Sequence, residues 1–310
     1  SCQRQVEIRG PDAARLSQLM TPRDLSEMSV GQCFYAPVID ENAGLLNDPI
    51  IIKRGPDWFW FSIADSDMLL WAKGLSVGMN LDVLVSEPDV SPLAIQGPKA
   101  EDLVVRVFGE EIRSIRHFEF LELGFENRSL VVARTGYSKQ GGFEIYLDDS
   151  NWGEALWDAL WKAGASFEVA PGCPNLIERV ESGLLSYGNE MTRKNNPIEI
   201  NMDRFCNLAG KADYIGRTAL EKIFRVGPKQ RIRGVIFDGL PCRPCRLPWP
   251  LMLNKNRVGQ ITTAVWSPKL RKNIAIGMVQ KSAWELGQEL IVKPEGGQQC
   301  LGIVTTLPFD

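Results

Sequence analysis

Apolar and polar positions along the chain follow two periods, and two stretches repeat the same succession. Residues 5–13 and 92–100 each alternate as a half-buried strand does, then run into Gly-Pro-x-Ala at Gly10-Pro11 and Gly97-Pro98. Proline suits the first turn of a helix, where its missing N–H would be unpaired anyway. Apolar positions follow at helical spacing, at Leu16, Leu19 and Met20 in one copy and at Leu103, Val104 and Val107 in the other. The pattern predicts two similar strand–helix units and hence duplicated α+β halves.

Strand-like runs lie between these units at 32–39, 49–53 and 58–63, with a helix predicted over 66–78 and further strands at 83–85, 130–134 and 143–147. Asn151, with Glu154 three residues on, fits the reciprocal cap of a helix start. That helix carries Leu156, Ala159, Leu160 and Ala163 on one stripe, and Trp157 and Trp161 read as packing residues. Residues 176–186 predict a second amphipathic helix, ending near Tyr187-Gly188. Beyond Gly227-Pro228, short β-rich runs at 233–237, 258–263, 274–279 and 289–292 have the spacing of a small barrel or sandwich. The expected organisation is an α+β body of two intertwined subdomains over residues 1–225, followed by a β-barrel-like domain over 226–310.

Charge and composition then remove several function classes. The 310 residues carry 35 Lys and Arg against 38 Asp and Glu, a formal charge of −3, which argues against a chain-wide nucleic-acid surface. The longest strongly apolar run, 58–64, is far short of the ~20 residues of a spanning helix. No signal peptide stands at Ser1. Seven cysteines, odd in number and widely spaced, fit reduced thiols in a cytoplasm better than a secreted disulfide scaffold. Cys242 and Cys245 form a lone C-x-x-C with no second pair, so they read as free thiols in a Pro-rich loop, and no metal site is expected. The single histidine, His117, has no orienting motif near it, and no glycine-rich nucleotide fingerprint is present. Whatever chemistry occurs does not run on histidine.

Four stretches stand out together: residues 44–49, a Gly-Leu-Leu-Asn-Asp-Pro turn; the Gly-Pro unit at 92–100; the glycine-rich turn and strand at 134–146; and the helix and its exit at 176–190. In this order they resemble the folate-dependent aminomethyltransferase family, typified by the glycine cleavage T-protein. Residues 259–268 and 274–279 resemble that family's last domain, so the resemblance runs from about residue 5 to 308. The segments at 4–11, 46–49, 62–67, 87–98, 138–144 and 174–179 are most similar to its dimethylsulfoniopropionate demethylase branch. T-proteins typically carry two adjacent aspartates where this chain has Asn47-Asp48, which argues against glycine cleavage.

The resemblance implies a T-protein-like α+β fold, with three domains in a ring-shaped arrangement and a C-terminal barrel, and tetrahydrofolate held near its centre. It also implies that a segment preceding Gln5 in relatives is missing here. The implied reaction moves a sulfonium methyl to N5 of tetrahydrofolate, giving 5-methyltetrahydrofolate and methylmercaptopropionate. The leaving thioether is neutral and needs no proton, which suits a chain with one histidine. Two other readings stay open: an aminomethyltransferase of the glycine cleavage type or an N-methyl-demethylating relative, and a folate-binding protein without turnover.

A pterin presents adjacent N–H donors on one edge, which a carboxylate accepts in two-point fashion. Alternation places Glu144 and Tyr146 on one strand face and Phe143 on the other, after a Gly141-Gly142 turn that permits close backbone approach. The resemblance assigns Glu144, Tyr137 and Tyr146 to the folate; by spacing alone Glu144 reads as a solvent-facing strand residue. A sulfonium cannot be hydrogen-bonded, so aromatic faces and a carboxylate are its partners. The resemblance assigns Tyr35, Phe118 and Ser62 to that substrate pocket, whereas Trp58 and Trp60 read as core. It makes Asp48 the catalytic carboxylate, beside the donor or the folate amine; its alternative role is a turn residue before Pro49. Ser66 or Asp67 reads as a helix cap beside Asp65, and Glu178 and Arg179 read as structural ions. The partner is a small sulfonium, with neither nucleic acid nor membrane, and a homodimer is compatible.

Overall fold

The computed structural model describes residues 3–63 and 67–309. Cys2, Asp65 and Ser66, with the helix start and cap expected at 66, lie outside the described residues. The chain falls into two compact units: Ser1–Ile39, Leu46–Cys173 and Ala209–Ile215 form one, and Asp40–Leu45, Pro174–Leu208 and Gly216–Asp310 form the other.

The elements of the first part of the chain are β1 (Arg4–Arg9), α1 (Ala13–Met20), β2 (Cys33–Tyr35), β3 (Val38–Ile39), β4 (Leu45–Asn47), β5 (Ile50–Gly55), β6 (Trp58–Ile63) and α2 (Met68–Gly78). There follow β7 (Leu84–Ser86), β8 (Ser91–Gln96), α3 (Ala100–Phe108), β9 (Phe120–Phe125), β10 (Arg128–Ala133), β11 (Gly142–Leu147) and α4 (Gly153–Gly164). They build a five-stranded sheet in the order β2-β5-β6-β1-β7 and a four-stranded sheet in the order β8-β11-β10-β9. The duplicated units are present: β1 leads into α1, and β8 into α3.

Strand periodicity decides what each sheet face does. On β6, Phe59, Phe61 and Ile63 pack with Leu16, Met20, Met68 and Ala72 of the helices, so Trp58, Trp60 and Ser62 point the other way. On β11, Phe143, Ile145 and Leu147 pack with Leu103, Val104, Leu156 and Leu160, so Glu144 and Tyr146 point away from the helices. The two helix-free faces meet in a third cluster, where Cys33, Ile52 and Trp60 of one sheet join Phe120, Val131, Ala133 and Tyr146 of the other. Each fully buried side chain of this size contributes about 1.5–3 kcal/mol.

Several local expectations change. The predicted run 32–39 breaks between Tyr35 and Val38, where Pro37 has no N–H to give and Ala36 N–H turns to Pro49 O. Asn151 does not cap α4; the Asp149 carboxylate caps a preceding 3-10 turn by accepting Asn151 N–H at 3.0 Å. Asp67 stands at the start of α2 without a side-chain capping bond. Trp157 and Trp161 are not packing residues: they stay 43% and 45% exposed and stack on each other at 6.0 Å between centroids. Glycine also has a different use at Gly142. A Cβ there would lie 2.1 Å from Ile95 O, so the close approach is to the neighbouring strand, while nothing stands within 4 Å of a Cβ on Gly141.

The second unit contains α5 (Leu176–Glu181), α6 (Arg217–Val226) and a closed barrel. The barrel strands are β12 (Gln230–Phe237), β13 (Trp249–Leu253), β14 (Asn256–Ser267), β15 (Lys272–Gln280), β16 (Glu289–Val292) and β17 (Cys300–Thr305), in the order β12-β15-β14-β13-β16-β17. The helix expected over 176–186 stops at Glu181, because Gly183 takes a φ of +64°. Cys242 and Cys245 are free thiols at the barrel core, and burial pushes Cys242 up to about 11. Arg179 is the structural ion foreseen. Its guanidinium donates to both oxygens of the buried Glu190, at 2.8 and 3.1 Å, and to Thr263 Oγ1 at 3.0 Å.

Arg179→Met should strand the Glu190 charge and cost about 3–5 kcal/mol in urea unfolding. Adding Glu190→Met should recover most of that loss, since an apolar pair replaces a buried ion pair at little cost.

Candidate functional site between two sheets

Strand register assembles the site. On the helix-free face of the first sheet, Tyr35 of β2 pairs with Ile50 of β5, Ile50 with Ser62 of β6, and Ser62 with Gln5 of β1. The next row on the same face is Cys33, Ile52, Trp60 and Glu7. Four strands at about 4.8 Å spacing make each row about 14 Å long. The second row is anchored. The indole N–H groups of Trp58 and Trp60 both donate to Glu7 Oε2, at 2.7 and 2.9 Å. The Arg54 guanidinium stacks on those two rings at 4.0 and 4.2 Å and pairs with Glu122 of β9 at 2.5 Å, tying one sheet to the other.

Asp48 stands at one end of the first row. The Tyr35 hydroxyl donates to its Oδ2 at 2.7 Å, and Asn47 Oδ1 accepts the Asp48 N–H at 2.9 Å. Asn47 is itself buried, whereas Asp48 is half-exposed, so the carboxylate is oriented and yet reachable. Ser62 is buried mid-row and donates to Gln3 Oε1 at 3.2 Å.

Glu144 faces these groups from the second sheet and is buried, not solvent-facing. It accepts from Thr135 Oγ1 at 2.5 Å, and no cation pairs with it among the described residues. Burial therefore dominates and raises its carboxyl above the usual range, against the lowering effect of neighbouring hydrogen-bond donors, first Thr135 and then Gln3. Tyr146 sits 6.1 Å from Trp60, ring to ring. Its hydroxyl, though close to Glu144, Ser62 and Thr135, meets none of them in hydrogen-bond geometry and is orphaned. Phe118 packs on the same cluster, and with a φ of +62° it offers its carbonyl to Cys33 N–H at 2.8 Å, fastening β2 to the second sheet. Tyr137 is half-buried in the loop from β10 to β11, which Gln96 braces through Thr135 O and Ser138 Oγ.

The register thus gathers Tyr35 and Ser62 on one sheet face, with Asp48 held by Tyr35 from the turn before β5, and the other sheet brings Glu144 and Tyr146, with Phe118 just ahead of β9. Sequence reasoning missed Gln3, Gln5 and Thr135. Gln5 had a signal, a polar residue at an alternating strand position, but alternation alone reads it as wet. A cleft of about 990 Å³ in the second unit, lined by Lys194, Lys222 and Lys229 among others, contains none of these residues.

The description "GCVT N-terminal domain" matches residues 1–210, and "Glycine cleavage T-protein C-terminal barrel domain" matches residues 231–310. The chain belongs to the glycine cleavage T-protein family. This T-protein relative is 49% identical, over 96% of its length and 81% of the other chain, to the dimethylsulfoniopropionate demethylase of Ruegeria pomeroyi. It is 30% identical to the aminomethyltransferase of Bacillus pumilus, over 98% of this chain and 84% of that one. Its fold is similar to the crystal structure of aminomethyltransferase T from Bartonella henselae, with a TM-score of 0.85 and 22% identity over the whole chain and 84% of that structure. No helix among its described residues is long and apolar enough to cross a membrane.

In this family member the buried Glu144 makes stability depend on pH. Its folded-state pKa lies above the ordinary 4.5, so the folded protein holds a proton that the unfolded chain has already released. Its contribution therefore favours folding below that value and is lost as pH rises through the raised one. Glu144→Gln carries no such proton. The wild type should lose stability relative to this variant across that window in urea titrations, and a difference flat with pH would refute the assignment.

Proposed function

We propose that this chain is a tetrahydrofolate-dependent methyltransferase that demethylates dimethylsulfoniopropionate. The carrying observation is the Glu144 carboxylate, buried beside the orphaned Tyr146 hydroxyl with no cation paired to it among the described residues. A buried acid without a charged partner is costly unless donors reach it. The adjacent N–H groups of a pterin edge are such donors, so the residues fit the group. The similarity to the Ruegeria pomeroyi demethylase supports the substrate, and Asn47 beside Asp48 supports it over glycine cleavage.

Glu144 would accept the pterin N–H pair, and Tyr146 and Tyr137 would help to hold the folate. Bound tetrahydrofolate supplies N5, a neutral amine able to accept a methyl group. Tyr35 and Phe118 present aromatic faces to the sulfonium, with Ser62 lining the same pocket. Asp48, aimed by the Tyr35 hydroxyl and by Asn47, supplies the counter-charge where positive charge must be held. No residue needs to donate a proton, because the departing thioether is neutral; the proton that N5 carries would be released to water as the N–CH3 bond forms and the S–CH3 bond breaks. Alignment inside a dry seam is the main contribution of the protein, on the order of 7–11 kcal/mol in the best cases. This reading takes residues 1–225 as the folate-binding body and 226–310 as the barrel domain. It includes a cytoplasmic setting, which the odd, scattered cysteines support, and a homodimer is compatible with it.

Incubation with tetrahydrofolate and dimethylsulfoniopropionate should yield 5-methyltetrahydrofolate and methylmercaptopropionate by mass spectrometry; absence of both would overturn the proposal. Asp48→Asn should lower turnover by about 10²–10³ while the melting temperature stays unchanged. Equal loss of stability and activity would instead make Asp48 a turn residue.

A further inference from the structure

Gln5 carries an unusual burden for a side chain with no assigned role. It is 1% exposed, and among the described residues neither its amide oxygen nor its amide nitrogen has a hydrogen-bond partner. Its cross-strand neighbour is Ser62, which donates to Gln3, and the helix-free sheet face it shares with Trp60 is the one packed against Tyr146. Among the described residues, Gln5 thus brings two orphaned atoms to the same sheet face on which Trp60 packs against Tyr146, whose hydroxyl is orphaned too. A buried amide left without partners is costly, and in a strand an apolar residue would avoid that cost.

We propose that Gln5 is a recognition residue for the folate, its amide pairing with a pterin edge that offers a carbonyl beside an N–H. The inference rests on the methyltransferase reading above. Chemistry decides which ligand it serves. The sulfonium substrate, with an ionised carboxylate and no N–H or O–H, satisfies the Gln5 nitrogen at most and leaves the oxygen orphaned. A pterin ring carries both an acceptor and donors, so it satisfies both atoms at once. With Glu144 accepting from the exocyclic amine and the adjacent ring N–H, the ring carbonyl and its other neighbouring N–H remain for the amide. Gln5 and Glu144 would thus hold the ring by two different edges from two different sheets, which fixes its orientation as well as its affinity.

Gln5→Met keeps the length of the side chain and removes both polar atoms. Calorimetric titration of tetrahydrofolate should show an affinity about tenfold weaker than wild type. Binding of dimethylsulfoniopropionate alone should be unchanged, and the melting temperature of the ligand-free protein equal or higher, because the variant removes an unsatisfied amide. Gln5→Glu, which keeps the shape but turns the donor into an acceptor facing the ring carbonyl, should weaken tetrahydrofolate at least as much. Unchanged tetrahydrofolate affinity in Gln5→Met, with wild type binding normally, overturns the role of Gln5 and leaves the methyltransferase reading standing. A lower melting temperature of the ligand-free Met variant also overturns it, since Gln5 would then hold the fold together. Failure of the wild type itself to bind tetrahydrofolate overturns both.

Discussion

The packing of Trp60 on Tyr146, 6.1 Å between ring centroids, is the contact through which two independently built sheets share one interior. Each sheet already has a helix-covered face with a complete apolar core. The remaining faces would be wet in an isolated strand–helix unit, and there the sequence places carboxylates, amides and hydroxyls. Bringing those faces together dries them. Polar groups such as Gln5, Ser62 and Glu144 then lose water without gaining full partners, and a site exists because that cost is concentrated in one seam.

Such a seam survives only if its surroundings leave no freedom to collapse or slip. Arg54 is wedged against two indoles and paired with the opposite sheet, and Glu7 gathers both indole N–H groups. Phe118 accepts a left-handed backbone so that its carbonyl can reach β2, a conformation that a bulky residue adopts only under strong constraint. Tyr35 holds Asp48 from the neighbouring strand, so the orientation of that carboxylate depends on register as well as on its own loop. The same principle recurs in the second unit, where the buried Glu190 is held by Arg179, Thr263, Asn189 and the Ser186 N–H together. There every partner is present and the charge is structural. At Glu144 no charged partner stands among the described residues, and the same residue type becomes a candidate for ligand binding.

The strands and their faces were legible in sequence wherever one periodicity ran unbroken. Residues 58–63 form β6 as predicted, Glu144 and Tyr146 share a face opposite Phe143, and the two Gly-Pro units each carry a strand into a helix. Family membership was legible too, because it rests on motifs in a fixed order. Boundaries were less so, since they turn on single backbone choices: Asp149 in place of Asn151 at a cap, and Gly183 cutting a helix that its apolar stripe would have continued. The stripe of α4 was legible too, since Leu156 and Leu160 do face the core, but Trp157 and Trp161 lie beside that stripe and stay exposed.

By itself the sequence determined which residues could do chemistry and which strands would carry them, because side-chain alternation is a local property of the backbone. Burial is not local. Gln5 and Glu144 alternate with apolar neighbours as solvent-facing residues do, and only the facing of one sheet by the other removes their water. The tertiary structure alone decided that Gln5 is unpartnered, that Tyr35 reaches Asp48, and that Gly142 is needed for strand packing, since each depends on atoms brought close from distant parts of the chain.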